Sequence, residues 1–221
     1  MKKTIYSIAV DGPAGAGKST IAKKTSQVLE IEYIDTGAMY RALTLKVLRN
    51  KLDPQNPEQV ISILSNTDID FVKNHIYLDG ESVDAEIREN TISNNVSYIA
   101  TIKKVRDSMV LLQQKMAERK SVIMDGRDIT TIVLPNADFK FYITASVEER
   151  SKRRYKELID KGEKNITLEN IMLDIKRRDE IDSNREVAPL IKTDDSYLLD
   201  TTYKTIDECV DIIISIVKGG N

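Results

Sequence analysis

Four residues near the start of the chain have the types and spacing of a phosphate-binding loop. Gly12, Gly17, Lys18 and Ser19 fit the pattern G-x-x-x-x-G-K-[ST]. In such a loop the backbone N–H groups converge on phosphate oxygens, and the helix that follows directs the positive end of its dipole to the same point. The lysine reaches the outer phosphates, and the serine hydroxyl faces a Mg²⁺ ion. The pattern predicts that a nucleoside triphosphate binds along residues 12–20, namely Gly12, Pro13, Ala14, Gly15, Ala16, Gly17, Lys18, Ser19 and Thr20.

The segments on both sides of this loop fit the same prediction. An apolar run, Ile5 to Val10, precedes the loop and predicts a buried strand. After the loop, apolar and small residues recur with the spacing of one helix face. These residues are Ile21, Ala22, Thr25, Val28 and Leu29.

Strand, turn and helix then alternate along the chain, which predicts a parallel α/β fold. Strand-like segments around Ile5, Tyr33, Val122, Phe139 and Leu198 predict a five-stranded parallel sheet with helices on both faces. Ligands of such sheets bind at the carboxyl ends of the strands. Since Asp35 follows a strand and can cap the next helix, the helix residues Thr36, Tyr40 and Arg41 are expected on the same rim as the phosphate loop.

Two segments interrupt this regular alternation. Asp79-Gly80 joins two short β-rich runs, which predicts a small antiparallel insertion. Later, Ser146 and Glu149 form a capping box that opens a very basic helix, and a polar break after it predicts a hairpin of two helices. Two helices are predicted between these segments, from Glu86 to Asn95 and from Tyr98 to Arg119.

The composition narrows the class of protein. The 221 residues are 41% hydrophobic and 31% charged, which predicts one globular domain over residues 1–221. The formal net charge of −2 argues against a general nucleic-acid or membrane-surface binder, because both carry a basic excess. No apolar run approaches the ~18 residues of a membrane span, so a cytoplasmic protein is expected. Cys209 is the only cysteine and is predicted to be buried without a disulfide.

The remaining polar motifs indicate what receives the phosphoryl group. Asp125-Gly126-Arg127-Asp128 follows a predicted strand, and an arginine-rich tract extends from Arg150 to Arg185. Neither motif supplies an obvious base for a hydroxyl acceptor. A phosphate acceptor needs no base, since its second pKa is about 6 and its oxygen is already ionised at neutral pH. Arginine is the preferred phosphate partner, so two facing polyanions held by Lys18, arginines and Mg²⁺ are predicted.

These motifs together resemble those of the bacterial cytidylate kinases, nearly from end to end. The phosphate loop is shared with many nucleotide enzymes, whereas the later motifs in combination are specific. They are Asp35-Thr36-Gly37-Ala38-Met39-Tyr40-Arg41, Asp125-Gly126-Arg127-Asp128, Arg178-Asp179, and Asp182-Ser183-Asn184-Arg185 before Ala188-Pro189-Leu190. The resemblance implies a P-loop kinase of nucleoside monophosphates that transfers the γ-phosphoryl group of ATP to CMP or dCMP and works with Mg²⁺. It also implies an inserted CMP-binding region at about 66–92 and a lid at about 150–168. A monomer is expected.

The resemblance also implies roles for individual residues. Lys18, Arg127 and Arg185 would be catalytic, and Arg150, Arg153 and Arg154 would belong to a lid over ATP. Ser19 would contact Mg²⁺, directly or through water. The CMP site would comprise Thr36, Tyr40 and Arg41 near the phosphate and sugar, Arg127 and Arg185 on the phosphate, Arg178 and Asp182 on the ribose, and Ser97, Arg106 and Asp128 on the base.

The base assignment has a physical reason. A carboxylate such as Asp128 accepts from the amino group of cytosine but would oppose the O4 lone pairs of uracil. Arg106 can donate to N3 of cytosine but not to the N3–H of uracil. Opposed or unpaired buried polar groups discriminate strongly. CMP and dCMP are therefore expected to be preferred over UMP.

Three alternatives stay open at this point. A kinase for another small acceptor, such as a different nucleoside monophosphate or shikimate, would share the loop and the lid arginines. A GTP-binding switch protein gains superficial support from Asn50-Lys51-Leu52-Asp53, which matches N-K-x-D but precedes Pro54 instead of following a late core strand. A non-catalytic ATP-binding scaffold would carry the loop without a use for the other charged residues.

Overall fold

A computed structural model describes residues 5–72, 75–164 and 166–219. Residues 73–74 and 165, which belong to the predicted insertion and lid, lie outside the described residues, as do the two ends of the predicted domain. The main sheet has five parallel strands, β1 (Ser7–Asp11), β2 (Glu32–Asp35), β6 (Val122–Asp125), β7 (Phe139–Thr144) and β8 (Tyr197–Asp200). Their spatial order is β2, β6, β1, β7, β8. The prediction of a five-stranded parallel sheet is confirmed.

A second sheet of three antiparallel strands follows the first third of the chain. It comprises β3 (Ile69–Val72), β4 (His75–Leu78) and β5 (Glu81–Ser82). Asp79 and Gly80 connect β4 and β5 with φ angles of 50° and 84°, the left-handed backbone that suits an Asp-Gly hairpin turn. The buried Ile76 and Leu78 pack into the same apolar cluster as the helix after β2, so the small sheet is seated on the parallel fold.

Helices cover both faces of the main sheet. The early helices are α1 (Lys18–Leu29), α2 (Thr36–Arg49) and α3 (Pro57–Ser62). The later helices are α4 (Asn90–Ile99), α5 (Lys103–Ala117), α6 (Val147–Asp160), α7 (Leu168–Asn184) and α8 (Ile206–Gly219). β1 is buried on both faces: Ile8 and Val10 pack with α1 and α8, whereas Ala9 packs in a separate cluster on the opposite face. The near-continuous apolar run that precedes the phosphate loop therefore forms a central strand, as parallel sheets require.

Two predicted helices differ in the structure. The segment predicted as one helix from Glu86 to Asn95 is a 3₁₀ turn, Glu86–Arg88, followed by α4, which continues to Ile99. The helix predicted from Tyr98 begins only at Lys103. Because apolar residues continue at helical spacing without glycine or proline, the sequence does not reveal the short break that separates α4 from α5.

Several predicted caps and burials are confirmed. The Asp35 carboxylate accepts a hydrogen bond from the Ala38 N–H at 2.9 Å, and Ser146 Oγ accepts one from the Glu149 N–H at 3.2 Å. The same Ser/Thr-x-x-Glu pattern occurs at Thr205, and Thr205 and Glu208 form the reciprocal bonds of a capping box at the start of α8. Cys209 is buried. Among the described residues, no helix is both long and apolar enough to cross a bilayer.

Candidate active site

A cleft of about 700 Å³ lies at the carboxyl ends of β1, β2 and β6 and extends to α6, α7 and the start of α8. Most of the residues that the sequence singles out line it. From the phosphate loop these are residues 14–20. The residues predicted to bind the phosphate acceptor also line the cleft, and their part of it is called the acceptor side below. They are Thr36, Tyr40, Arg41, Ser97, Arg106, Arg127, Asp128, Arg178, Asp182 and Arg185. Arg153 and Arg154 line it as well. Gly12, Pro13 and Arg150 are not part of the lining.

The phosphate loop follows β1 directly and is shaped by close backbone packing. A Cβ at Gly12 would lie 1.9 Å from the carbonyl oxygen of Ile143 on β7, so no larger residue fits there. Gly17, at φ 88°, precedes the first turn of α1. The loop therefore ends at the N-terminus of a 12-residue helix, where backbone N–H groups and the helix dipole favour an anion.

Lys18 is a buried residue of this loop. Its Nζ donates to the Pro13 carbonyl at 2.8 Å, across the loop. Burial, followed by the positive charge of Arg127, lowers the pKa of Lys18 to about 7, although Asp125 and Asp11 act in the opposite direction. A polyanion in the loop would stabilise the charged form of this lysine.

Asp125, which has no role assigned from the sequence, contacts the phosphate loop. It ends β6, which pairs with β1 in a register that sets Asp125 opposite Val10, immediately before the phosphate loop. Its Oδ2 accepts from Ser19 Oγ at 2.9 Å, and its Oδ1 accepts from Tyr33 OH at 2.8 Å. Burial and the nearby Asp35 raise the pKa of Asp125 to about 6. The serine hydroxyl and this carboxylate thus place two oxygen ligands, of the kind that Mg²⁺ prefers, next to each other at the phosphate loop.

Asp11 connects the phosphate loop to the acceptor side. Its fully buried carboxylate accepts from the Ile129 N–H at 2.9 Å and from the Thr130 N–H at 2.7 Å. The segment before these amides contains Arg127 and Asp128. The strand end that begins the phosphate loop therefore also holds the loop that follows β6.

Two buried ion pairs hold charged groups on the acceptor side. Arg106 of α5 pairs with Asp128, and Arg127 Nε donates to Asp182 Oδ2 of α7 at 2.7 Å. Burial raises the pKa of Asp182, but the charge and the hydrogen bond of Arg127 outweigh it and the net pKa is lowered. The Asp182 carboxylate is therefore held as an anion, and both carboxylates are paired with arginines that also line the cleft.

Two further arginines have donors without partners. Nε of Arg178 and Nη2 of Arg185 are buried, with no hydrogen-bond partner among the described residues. Arg185 Nη2 lies 3.6 Å from Asp128 Oδ1, an ion-pair distance only. Burial and then the charge of Arg127 lower the pKa of Arg178 to about 10. Unpaired buried guanidinium donors are costly, so this part of the cleft is suited to a ligand whose oxygen acceptors, such as phosphate or hydroxyl oxygens, would pair with them.

Thr36, Tyr40 and Ser97 occupy the wall between these groups. Thr36 Oγ1 donates to the Asp125 carbonyl at 2.7 Å and is therefore engaged with the protein. The Tyr40 ring lies 6.0 Å from the Arg106 guanidinium, and burial raises the pKa of Tyr40 to about 12. Ser97 is buried on α4. An aromatic ring and a guanidinium side by side can sandwich or border a planar ring.

The predicted lid arginines occupy different environments. Arg153 donates to Thr201 Oγ1 at 2.9 Å, and Arg154 donates to Asn90 Oδ1 at 3.3 Å, both at the cleft. Arg150 is 4% exposed and donates to the carbonyls of Ala14 and Ala145, each at 2.9 Å. The structure therefore places Arg150 beneath the phosphate loop, away from the cleft surface on which a lid residue over ATP would lie.

Other cleft residues had no role assigned from the sequence. Arg88, in the 3₁₀ turn after the small sheet, lies 3.3 Å from Asp35 Oδ2. Thr201, Lys204 and Thr205 line the end of the cleft near α8. Asp35 could be recognised from the sequence because it ends a strand-like segment. Arg88 could not, because it stands in a charged stretch that has no motif. In the described ranges, no cluster of three or more His, Cys, Asp or Glu side chains could hold a metal by itself.

The N-K-x-D match lies away from this site. Asn50 is the C-cap of α2, and Lys51 follows it with φ 58°. None of Asn50, Lys51 and Asp53 lines the cleft. The match therefore provides no guanine-reading geometry.

A glycine-lysine-serine loop at the end of a central parallel strand, facing an arginine-lined cleft, defines a kinase of the P-loop class. A family model described as Cytidylate kinase matches residues 8–219. The Cytidylate kinase of Clostridioides difficile (strain 630) is 58% identical over 211 residues, covering 96% of this chain and 97% of that protein. The Cytidylate kinase of Alkaliphilus oremlandii (strain OhILAs) is 52% identical over 212 residues, with 96% and 97% covered. The chain belongs to the cytidylate kinase family.

A solved structure agrees with the fold. An uncharacterized protein from Eubacterium ventriosum ATCC 27560 matches with a TM-score of 0.55 and 14% sequence identity, over 98% of this chain and 99% of that one. At this identity the match supports the architecture only.

Proposed function

We propose that this protein transfers the γ-phosphoryl group of ATP to CMP or dCMP, giving ADP and CDP or dCDP. The observation that carries the proposal is the opposition, within one cleft, of a phosphate loop and a set of arginines with unsatisfied donors. Family membership supports this acceptor over shikimate or another monophosphate. It also disfavours a switch protein and a non-catalytic scaffold.

The chain's own residues perform most of the proposed work through charge and position. The phosphate loop, residues 12–20, binds the ATP phosphates, and Lys18 lies where the outer phosphates face the acceptor. Arg127 and Arg185 grip the CMP phosphate together with Arg41. An ionised phosphate oxygen attacks the γ-phosphorus without a protein base, so catalysis consists of in-line positioning and neutralisation of charge.

The arginines on α6 are expected to act on the donor side. Arg153 and Arg154 lie on the cleft and would neutralise ATP phosphates. We retain Arg150 in the ATP site only through its contact with the loop carbonyl of Ala14. Residues 150–168 would act as a lid, and the small sheet, within about 66–92, would close on CMP.

The ion pairs supply groups for the nucleoside. Asp182 would accept from the ribose hydroxyls and Arg178 would donate to them. Asp128 and Arg106 would read the amino group and N3 of cytosine, with Ser97 beside them and Thr36 and Tyr40 near the phosphate and sugar. Since Arg106 and Asp128 are both nearly inaccessible, an opposed uracil edge could not be relieved by water, and CMP should be preferred.

Mg²⁺ fits the residues at the loop. Ser19 Oγ and the Asp125 carboxylate are oxygen ligands of the kind that Mg²⁺ prefers, and they lie 2.9 Å apart where the β- and γ-phosphates would bind. These two residues would hold the ion, directly or through water, and the ion would neutralise charge on the phosphates. We further propose that the protein acts as a cytoplasmic monomer on ATP and CMP or dCMP, without a nucleic-acid or membrane partner.

A coupled assay of ADP release tests the proposal. Purified protein with ATP and Mg²⁺ is offered CMP, dCMP, UMP, AMP, GMP and shikimate in separate reactions. CMP and dCMP should give the highest kcat/KM. Equal efficiency with UMP would refute the base assignment, and turnover with shikimate alone would refute the function. Omission of Mg²⁺ should abolish turnover with every acceptor.

A further inference from the structure

Asp179 lies between the donor and acceptor halves of the site without lining the cleft. It belongs to α7, immediately after Arg178 and one helical turn before Asp182, which are both acceptor-side residues. Its own side chain contacts the opposite half. Oδ1 accepts from the backbone N–H of Ala14, in the phosphate loop, at 3.4 Å.

Arg150 completes this contact from α6. Its Nη1 lies 2.7 Å from Asp179 Oδ2 and also donates to the Ala14 carbonyl at 2.9 Å. The pair therefore binds both polar backbone groups of Ala14. A second close approach occurs at Gly15, where a Cβ would lie 3.3 Å from the Cβ of Arg150. The phosphate loop is thus seated directly on the first turn of α6.

The burial of this pair makes it more than a surface ion pair. The Arg150 side chain is 5% exposed and that of Asp179 is 22% exposed. The Arg150 Nε is bound as well, donating to Ala145 at 2.9 Å. Removing one member would leave the other charged and poorly solvated, so the arrangement is specific in geometry.

From these contacts we propose that Asp179 is a positioning residue that holds the phosphate loop in a fixed position relative to α7, the helix that carries Arg178 and Asp182. Together with Arg150, which acts through Ala14, it sets the distance and angle between the ATP phosphates and the groups carried by Arg178 and Asp182. Displacements of about 1 Å can cost up to 100-fold in such reactions, because in-line geometry is lost. This inference rests on the proposed phosphoryl transfer.

The substitution Asp179→Asn tests whether Asp179 positions the phosphate loop relative to α7, because asparagine has nearly the same shape as aspartate but no charge. The expected result is a decrease in kcat of at least tenfold, with the Kd of CMP, measured by calorimetry, within threefold of wild type. The acceptor groups stay on α7, so acceptor binding should persist while turnover falls. Asp174→Asn is the matched control on the same helix, since Asp174 is exposed and pairs with Arg177 at 3.0 Å. Its kcat should stay within twofold.

The double variant Arg150→Met/Asp179→Asn extends the test. It removes both charges and so avoids an uncompensated buried ion if Asp179→Asn alone does not fold. Arg150→Met is also measured alone. If the two residues act as one clamp, the kcat of the double variant should equal that of the less active single variant, not the product of the two losses. All assays are run well below the measured Tm of each variant, so that a loss of stability alone leaves kcat unchanged.

Several outcomes would overturn the proposal. A kcat within twofold of wild type in both Asp179→Asn and the double variant shows that the pair only joins α6 to α7. A loss of CMP affinity equal to the loss of kcat/KM shows that Asp179 acts on acceptor binding. Failure of the proposed function is seen separately, because wild-type protein would then release no ADP with CMP. The Asp179 variants are in that case compared by their Kd for ATP, which should rise only if Asp179 shapes the loop.

Discussion

Arg178 allows a test in which stability and ligand binding should change in opposite directions. Its Nε has no hydrogen-bond partner in the described part of the chain, and burial together with Arg127 lowers its pKa to about 10. The unfolded chain therefore binds this proton more tightly than the folded chain does. The resulting cost to folding is fully present below the folded pKa and disappears only above the ordinary arginine pKa. At neutral pH the whole cost applies.

The size of the cost follows from that pKa. The pKa falls from its ordinary value of 12.5 to about 10. At ~1.4 kcal/mol per pH unit, this difference corresponds to about 3–4 kcal/mol. Arg178 is partly accessible, so solvent screening reduces the cost to roughly 1–2 kcal/mol. Methionine retains much of the aliphatic packing of arginine. Arg178→Met should therefore stabilise the free protein by about 1 kcal/mol, or about 3 °C in Tm for a chain of this size.

Thermal unfolding at pH 7.5, without CMP and at a series of CMP concentrations up to saturation, measures both the stability of the free protein and the binding of CMP. The variant should melt at a higher temperature than wild type without CMP, and its CMP-induced rise in Tm should be smaller because a ribose contact is lost. Arg177→Met is the control, since Arg177 is exposed and pairs with Asp174 at 3.0 Å. A lower Tm in Arg178→Met would refute the reasoning on the unsatisfied guanidinium. An unchanged CMP shift would remove Arg178 from the acceptor site.

The remaining predictions concern the donor loop and the reacting phosphates. Lys18→Ala should lower kcat at least 100-fold because the charge between the two phosphates is lost, with a Tm no lower than wild type; a near-normal kcat in the folded variant would exclude that role. Arg185→Ala should lower kcat/KM for CMP about 30-fold, or ~2 kcal/mol, as expected for one charge-assisted phosphate contact; an unaltered value would place Arg185 outside the phosphate site. Asp125→Asn should raise the Mg²⁺ concentration needed for half-maximal activity several-fold while CMP affinity persists; an unchanged Mg²⁺ titration would argue that Asp125 acts only on Ser19 and Tyr33.

The strands and the phosphate loop could be predicted because their signals are local. A buried apolar run, a glycine pattern and capping residues each specify structure within a few residues. The order of the strands is not local, and the role of Asp125 depends on it. Only the pairing of β6 with β1, which sets Asp125 opposite Val10, brings this carboxylate to Ser19.

The arginines of α6 show a second reason why the role of a side chain could not be predicted from the sequence. The sequence correctly predicts a basic helix after Ser146, and its resemblance to the family assigns Arg150, Arg153 and Arg154 to one lid. The three side chains separate because the first turn of α6 packs under the phosphate loop, whereas Arg153 and Arg154 lie one turn later at the cleft. Whether an arginine binds a ligand or a backbone carbonyl depends on what packs against each turn, which the charge pattern does not encode.

Several arginines can lie close together on the acceptor side because two of them are paired with carboxylates. Arg106 and Arg127 are each neutralised by a carboxylate, Asp128 and Asp182, that is also proposed to bind the nucleoside. If the CMP phosphate engages Arg127 as proposed, part of that neutralisation would pass to the phosphate, and Asp182 would be freer to accept from the ribose hydroxyls. Phosphate and ribose binding would then be coupled through one ion pair, so neither contact would reach its full strength without the other. An acceptor that lacks its phosphate would leave Arg127 on Asp182, and the site would discriminate against it beyond the loss of the phosphate contacts alone.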